Sequence, residues 1–370
     1  MRVVLSGYYG FDNAGDEALL TAITSSLGKF NPDAHFVVLS GNPARTEASH
    51  GIRAVNRINP LALIRELRQA NLLISGGGSL LQDITGPFSL PYYVGIVALA
   101  RLLGTPVVLY AQGVGPLRRR FSKILVRLVI NRVELVTLRD EDSRQALAEI
   151  GVTRPPVKVT ADPVFALDPA AGDFAKAERV LGDLGLRPSD HIIGVSVRAW
   201  NHLGDYAKIL ARVLDQLAGC GHKILFIPLH YPEDITQSQG IIDMMDSPAM
   251  VVREELSSLE TMALITRVEV LIGMRLHSLI FAACGGVPFV GISYDPKVDN
   301  FLKQFNRPSV VRDNRLDGNS LLHTVQAVLK NREREARMIK QKALAFKEKA
   351  VLTAGLAWEV AKRREGVDAG

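Results

Sequence analysis

Residues 1–30, MRVVLSGYYGFDNAGDEALLTAITSSLGKF, decide the fold. Val3 to Ser6 make an apolar run of strand length, Gly7, Gly10 and Gly15 punctuate the loop that follows, and Ala18 to Leu27 carry helical periodicity. The same order recurs. Apolar runs at Phe36 to Ser40, Leu72 to Ser75, Val107 to Ala111, Leu135 to Leu138 and Val157 to Thr160 alternate with helical segments. Continuous apolar strands in β-then-α order predict a parallel sheet covered on both faces. From Asp162 to Asp190 the pattern loosens around Pro163, Pro169, Gly172 and Pro188, then restarts with His191 to Val197, Lys223 to Pro228, Met250 to Arg253, Val268 to Ile272 and Phe289 to Ser293. With 370 residues and 47% hydrophobic content, the chain holds enough apolar mass for two cores, since single cores stop growing below roughly 300 residues. The expectation is an α/β protein of two Rossmann-like domains, 1–167 and 190–345, with parallel sheets facing across a cleft. Residues 168–189 are expected as a linker and 346–370 as a C-terminal helix and tail. The tail from Asn319 onward reads as helices packing on the second domain, the last crossing back to the first.

Composition narrows the function classes. Cys220 and Cys284 are the two cysteines; far apart and each in an apolar stretch, they exclude a disulfide framework or a cysteine metal site. The start runs directly into a strand pattern and lacks the parts of a signal peptide, so a cytoplasmic location is expected. Leu90 to Leu103 is apolar but broken by Pro91 and Arg101, and is shorter than the ~20 residues of a spanning helix. It reads as a core helix, with Tyr92 and Tyr93 also suited to a membrane interface. A net charge of +6 points to an anionic partner. Nucleic acid is disfavoured, because basic and aromatic residues are not interleaved along a module.

Ligands of parallel sheets bind beyond the carboxyl ends of strands, so the loops there hold the candidates. In Gly7-Tyr8-Tyr9-Gly10-Phe11-Asp12-Asn13-Ala14-Gly15-Asp16-Glu17, Asp16 reads as a helix N-cap. The aromatics either stack on a sugar ring whose hydroxyls meet Asn and Asp, or pack the loop at the domain interface. Ser75-Gly76-Gly77-Gly78-Ser79 reads as a strand, glycine turn and helix start offering N–H groups to an anion, or as tight packing. Gln112-Gly113-Val114-Gly115-Pro116 carries the same two readings. Arg139 either binds a carboxylate or phosphate, or pairs with Asp140, Glu141 or Asp142. In the second half, Arg198 before Trp200 and Asn201, and His230 before Tyr231 and Glu233, line the cleft or make surface contacts. Gly273-Met274-Arg275-Leu276-His277-Ser278 takes a strand into a helix and places Arg275 and His277 at its positive end. Lys297 follows in the loop after the neighbouring strand, pointing into the same cleft or into solvent.

In their order, the opening Gly7 to Glu17 loop, the Ser75 to Gly78 turn, Gln112 to Pro116, Arg139-Asp140, Ala161-Asp162-Pro163 and Gly273 to Ser278 resemble the polysaccharide pyruvyltransferase family. The likeness covers nearly the whole chain and points to the bacterial branch acting on secondary cell-wall polysaccharide. The resemblance implies GT-B-like architecture, phosphoenolpyruvate as donor substrate, and no metal or other cofactor. It further implies a lipid-linked glycan acceptor, with a pyruvate ketal on O4 and O6 of N-acetylmannosamine that anchors surface-layer proteins. Under it His277 is the acid or a phosphate ligand, Arg139 and Lys297 clamp the donor's anionic ends, and Arg275 is a further donor contact. Tyr9 and Phe11 hold the acceptor sugar, while Asn13 and Asp16 shape that loop. The basic run Arg118-Arg119-Arg120 with Lys123 and Arg127 meets anionic headgroups or the lipid diphosphate at the inner membrane face, or is a solvated helix face. Two rivals share these residues: a nucleotide-sugar glycosyltransferase of the same architecture, and a non-catalytic glycan-binding module using the aromatic loop.

Overall fold

The computed structural model describes residues 1–84, 86–200, 203, 205–312 and 315–367. The chain divides into two compact units, one of Met1–Ala166 with Phe346–Gly370 and one of Leu167–Ala345. Each is a parallel-sheet α/β unit, as the alternating pattern predicts.

In the first unit the elements are β1 (Arg2–Ser6), α1 (Ala14–Phe30), β2 (His35–Ser40), α2 (Pro43–His50), β3 (Ala54–Asn56), α3 (Pro60–Gln69), β4 (Leu72–Gly76), α4 (Ser89–Leu102), β5 (Val107–Gln112), α5 (Arg120–Ile130), β6 (Leu135–Leu138), α6 (Glu141–Glu149) and β7 (Val157–Val159). Every residue of β4 and β5 is buried, which explains why these strands show no polar alternation. The strands lie in the order β3-β2-β1-β4-β5-β6-β7 and pair in parallel. The chain runs outward from β1 to β3 and returns to place β4 on the other side of β1. The order therefore reverses between β1 and β4, opening a crevice at their carboxyl ends. The three-residue β3, of which only Ala54 and Val55 are buried, is too short to stand out in the sequence.

The second unit contains α7 (Phe174–Asp183), β8 (Ile192–Ser196), α8 (Tyr206–Gly219), β9 (Lys223–Phe226), α9 (Glu233–Ile242), β10 (Ala249–Val251), α10 (Ser258–Ile265), β11 (Val270–Gly273), α11 (Leu276–Gly285), β12 (Phe289–Gly291), α12 (Pro296–Gln304), the antiparallel pair β13 (Val311–Arg312) and β14 (Arg315–Leu316), and α13 (Gly318–Lys330). Its parallel sheet runs β10-β9-β8-β11-β12. The order reverses between β8 and β11, where Ser196 stands opposite Gly273. The last helix, α14 (Arg332–Val367), starts in this unit. Its later residues Ala354, Leu356, Ala357, Val360 and Ala361 join the first unit's core around Val3, Leu5 and Tyr110.

Residues 168–189 are not a linker. They form a short 3-10 turn at Pro169–Ala171 and then α7, capped by Asp173, whose carboxylate accepts the Lys176 N–H at 2.9 Å. Ala177, Val180 and Leu181 are buried, and α7 packs on α10. Gly172, which suggests flexibility in the sequence, is a close-packing position: a Cβ there would stand 2.4 Å from the Leu259 carbonyl oxygen. Leu181→Ala is expected to destabilise the second unit by about 2–5 kcal/mol, as for a buried leucine, read as a lower urea midpoint. A loss below about 0.5 kcal/mol, the range of surface substitutions, would remove α7 from this core.

Candidate functional site

The crevice of the first unit is lined by the loop after β1 and the glycine turn after β4. Asn13, not Asp16, caps α1, its amide oxygen accepting the Gly15 N–H at 3.1 Å. Asp16 and Glu17 occupy the first turn, favoured there by the helix dipole. Glu17 accepts the Gly10 N–H at 2.8 Å and meets His50 Nε2 at 2.8 Å, tying the loop to α2. The Asp16 carboxylate faces the turn, 3.5 Å from where a Gly78 Cβ would stand.

Tyr9, expected to hold a sugar, is instead core: it is 1% exposed and its hydroxyl donates to the Gly76 carbonyl at 2.8 Å. Gly7 makes room for it, since a Cβ at Gly7 would lie 2.3 Å from the Tyr9 ring. Burial first, then the charges of Asp16 and Glu17, raise the Tyr9 pKa well above its ordinary value, so the hydroxyl stays a donor. The ring offered outward is Tyr8, 39% exposed and stacked on Phe11 with centroids 4.3 Å apart and planes 13° from parallel. Beneath Phe11 lies a cation the sequence reading missed. The Arg57 guanidinium carbon is 5.3 Å from the Phe11 ring centre, 4.0 Å from that of Tyr92 and 5.2 Å from that of Tyr93. Tyr92 and Tyr93 thus face this cluster rather than a membrane: Tyr92 donates to the Arg57 carbonyl at 2.9 Å and Tyr93 is buried. Burial pushes the Tyr93 pKa up to about 12, against the lowering effect of Arg57.

The turn after β4 does not enter a helix. Gly77 and Gly78 adopt φ of +77° and +83°, and α4 begins only at Ser89. Between them Leu81 bridges Val114, and the Gly78 carbonyl accepts both the Gly113 N–H at 2.8 Å and Gln112 Nε2 at 2.9 Å. The turn is held as an extension of the sheet edge, without a helix N-terminus.

Arg139 takes the ion-pair alternative. Its side chain is 7% exposed, 3.3 Å from Asp162 and 3.7 Å from Asp140, and it donates to Ser79 Oγ at 2.7 Å. Gly113 lies against the guanidinium, where a Cβ would be 2.8 Å from Nη2. Arg139 is therefore a fixed tie between the loops after β4, β5, β6 and β7 rather than an open clamp.

In the second unit the crevice lies at the ends of β8, β11 and β12. Arg275 precedes α11, but its guanidinium is bound through two nitrogens to Asp234, which is 1% exposed and also accepts the N–H groups of Leu229 and His230. Its role as a donor clamp gives way to fastening the β9 loop. His277 stands in the first turn of α11, half-buried, its ring 6.5 Å from that of Phe281. Lys297 stands in the first turn of α12, where Asp295 caps the helix and lies 3.5 Å from Nζ. Because β11 pairs β12 with Gly273 opposite Gly291, the loops carrying His277 and Lys297 follow neighbouring strands, as the sequence order suggests. His230 meets Glu233 at 3.1 Å, and Asn201 lies outside the described residues.

Beyond Arg198, which the sequence places at the cleft or in a surface contact, two features of this crevice escaped the sequence reading. The hydroxyls of Ser196 and Ser293, 0% and 4% exposed, have no hydrogen-bond partner among the described residues. Arg198 donates to the Tyr294 hydroxyl at 3.0 Å, and its guanidinium carbon lies 5.1 Å from the Tyr294 ring centre and 5.3 Å from that of Trp200. Tyr206 donates to the Arg198 carbonyl at 2.6 Å, and burial pushes its pKa up to about 12, helped by Asp234. Among the described residues, no group of three or more His, Cys, Asp or Glu is placed to hold a metal ion, and no helix is long and apolar enough to cross a membrane.

Residues 13–296 match the model of the polysaccharide pyruvyl transferase family. The chain belongs to this family. The matched span begins at Asn13, within the loop after β1, and ends at the residue before Lys297. The amylovoran biosynthesis protein AmsJ of Erwinia amylovora is 24% identical over 392 residues, covering 90% of this chain and 93% of that protein. Among solved structures, a glycosyltransferase from Rickettsia africae has a TM-score of 0.65 at 10% identity, covering 98% of each chain. Anabaena HepE in complex with UDP-glucose has a TM-score of 0.64 at 12% identity, covering 99% of this chain and 100% of that one. The UDP-GlcNAc 2-epimerase of Neisseria meningitidis has a TM-score of 0.63 at 13% identity, covering 93% and 97%. Such identities show the fold alone, and that fold is GT-B-like.

The two neighbouring tyrosines separate core from site. Tyr9→Phe should cost about 1–3 kcal/mol by leaving a buried carbonyl without its donor, whereas Tyr8→Ala should stay within about 0.5 kcal/mol. Thermal denaturation of both variants checks this; equal losses would contradict the assignment.

Proposed function

We propose that this family member transfers the three-carbon unit of phosphoenolpyruvate to two hydroxyls of one hexose in a lipid-linked cell-wall glycan, releasing phosphate. The acceptor is taken to be N-acetylmannosamine, joined through O4 and O6 on the cytoplasmic side of the membrane, and the product to serve in surface-layer anchoring. Family membership supports the reaction class. The observation that carries the donor site is the pair of buried hydroxyls of Ser196 and Ser293, without a hydrogen-bond partner among the described residues, at the ends of the strands flanking β11. They stand with the positive N-terminus of α11, Arg198 and Lys297, a donor set suited to a small ligand with a carboxylate and a phosphate.

In this reading protonated His277 gives its proton to C3 of the donor, and C2 takes on oxocarbenium character. One sugar hydroxyl adds to C2. The phosphate then leaves with the electron pair of its bond to C2, and the second hydroxyl closes the ketal. Of the two hydroxyl protons, one restores His277 and the other departs with phosphate. Arg139 and Arg275 act by positioning loops. In the first unit, Tyr8 stacked on Phe11 gives a face for the sugar ring, and Asp16 beside the glycine turn is an acceptor for its hydroxyls.

The test is phosphate release from phosphoenolpyruvate with and without a synthetic lipid-linked disaccharide bearing N-acetylmannosamine, followed by product mass. Acceptor-dependent release with a pyruvate-ketal mass gain is expected. His277→Ala should lower kcat by roughly 10²–10⁴-fold. Lys297→Ala should act chiefly on KM for phosphoenolpyruvate, and Tyr8→Ala chiefly on KM for the acceptor. Thermal protection by UDP-sugars but not by phosphoenolpyruvate would overturn the reading in favour of a glycosyltransferase.

A further inference from the structure

Helix α5 carries a surface that the transfer chemistry does not use. Phe121, Ile124 and Leu128 are 67%, 56% and 54% exposed. Their spacing of three and then four residues places them in one stripe, while Val126, Val129 and Ile130 face the core. Arg120, Lys123 and Arg127, at the same spacing one position earlier, flank the stripe, and all three are exposed. Exposed Arg118 and Arg119 precede the helix. Their N–H groups donate to the Asp83 carboxylate at 2.8–3.0 Å, which fastens them to the loop of Ile84, itself 41% exposed. Helix α4 packs beside α5, and the residue before it, Phe88, is 82% exposed.

The sequence that builds this surface is basic. Between Asp83 and Glu134, a stretch of 50 residues contains no Asp or Glu and seven Arg or Lys, more than the net charge of +6 on the whole chain. A merely solvated face accounts for the basic residues but not for large apolar side chains held in water among them. A second copy of this chain would have to bring concentrated negative charge, whereas the rest of its sequence is nearly neutral. An anionic bilayer meets both demands: apolar side chains enter the acyl boundary, and arginine and lysine reach the headgroups.

We propose that α5 and the loop leading into it dock on an anionic lipid surface. The helix starts beyond the carboxyl end of β5, the sheet edge that also carries the aromatic loop and glycine turn. The docking stands on its own observations; its use, to hold that edge where a lipid-linked glycan lies, rests on the proposed function.

Co-sedimentation of the full chain tests it, using vesicles of phosphatidylglycerol and phosphatidylcholine (about 3:7) and vesicles of phosphatidylcholine alone. Partitioning should favour the anionic vesicles by at least tenfold and fall steeply between about 0.1 and 0.5 M salt as the surface potential is screened. Arg119→Gln/Arg120→Gln/Lys123→Gln should weaken binding by roughly a hundredfold at low salt. Phe121→Ser/Ile124→Ser/Leu128→Ser should also abolish it with an unchanged circular dichroism spectrum. Phosphate release with a lipid-free acceptor should be the same in both variants and the parent chain, so that a failure of the transferase reading and a failure of docking are told apart. Equal binding to neutral vesicles, no binding, or binding unaffected by both variants would overturn the proposal. So would sedimentation equilibrium showing a dimer that the serine variant dissociates, which would assign the stripe to a second copy.

Discussion

A guanidinium taken out of water costs several kcal/mol unless a carboxylate meets it, and each unit of this chain builds its crevice around such a pair. In the first, Arg139 lies against Gly113 and joins Asp162, Asp140 and Ser79, so four strand-end loops share one buried charge. In the second, Arg275 meets Asp234, which also collects the Leu229 and His230 N–H groups. These ties fix backbone that would otherwise be free to move, and they leave other groups to face a ligand.

What faces the ligand follows from strand order. Both sheets reverse direction next to their first strand, between β1 and β4 and between β8 and β11, so each opens at a point set by topology rather than by any one side chain. Both openings also contain an arginine among aromatic rings, Arg57 with Phe11, Tyr92 and Tyr93, and Arg198 with Trp200 and Tyr294. The difference lies in the polar groups. The first has Asp16 beside a glycine turn and an outward tyrosine, which suits an uncharged polyhydroxyl ligand. The second has serine hydroxyls without a hydrogen-bond partner among the described residues, a helix N-terminus, His277 and Lys297, which suits an anion.

Much of the fold was legible because strands of a covered parallel sheet read as apolar runs, and each of the eleven runs read as a strand contains one. Those missed, β3, β13 and β14, are two or three residues long. Helix α7 was hidden because Pro169 and Gly172 look like linker residues, whereas Gly172 is set by the nearby Leu259 carbonyl. The site was legible by position but not by orientation. The sequence placed Tyr8 and Tyr9 in one loop, yet nothing local tells which ring turns inward to Gly76. It placed Arg139 and Arg275 at strand ends, but their partners Asp162 and Asp234 lie 23 and 41 residues away. Ser196 and Ser293 carry no motif at all; only burial without a hydrogen-bond partner among the described residues marks them.

The proposed function requires the second unit to hold the anionic donor at the ends of β8, β11 and β12. Amide hydrogen exchange with and without phosphoenolpyruvate, read by mass spectrometry, addresses this without requiring an acceptor. Slower exchange in peptides spanning residues 273–279 and 292–298, with little change around 76–83, is the expected result. Protection confined to 76–83 and the loop after β1 would contradict the account, because the donor would then lie in the crevice assigned to the sugar.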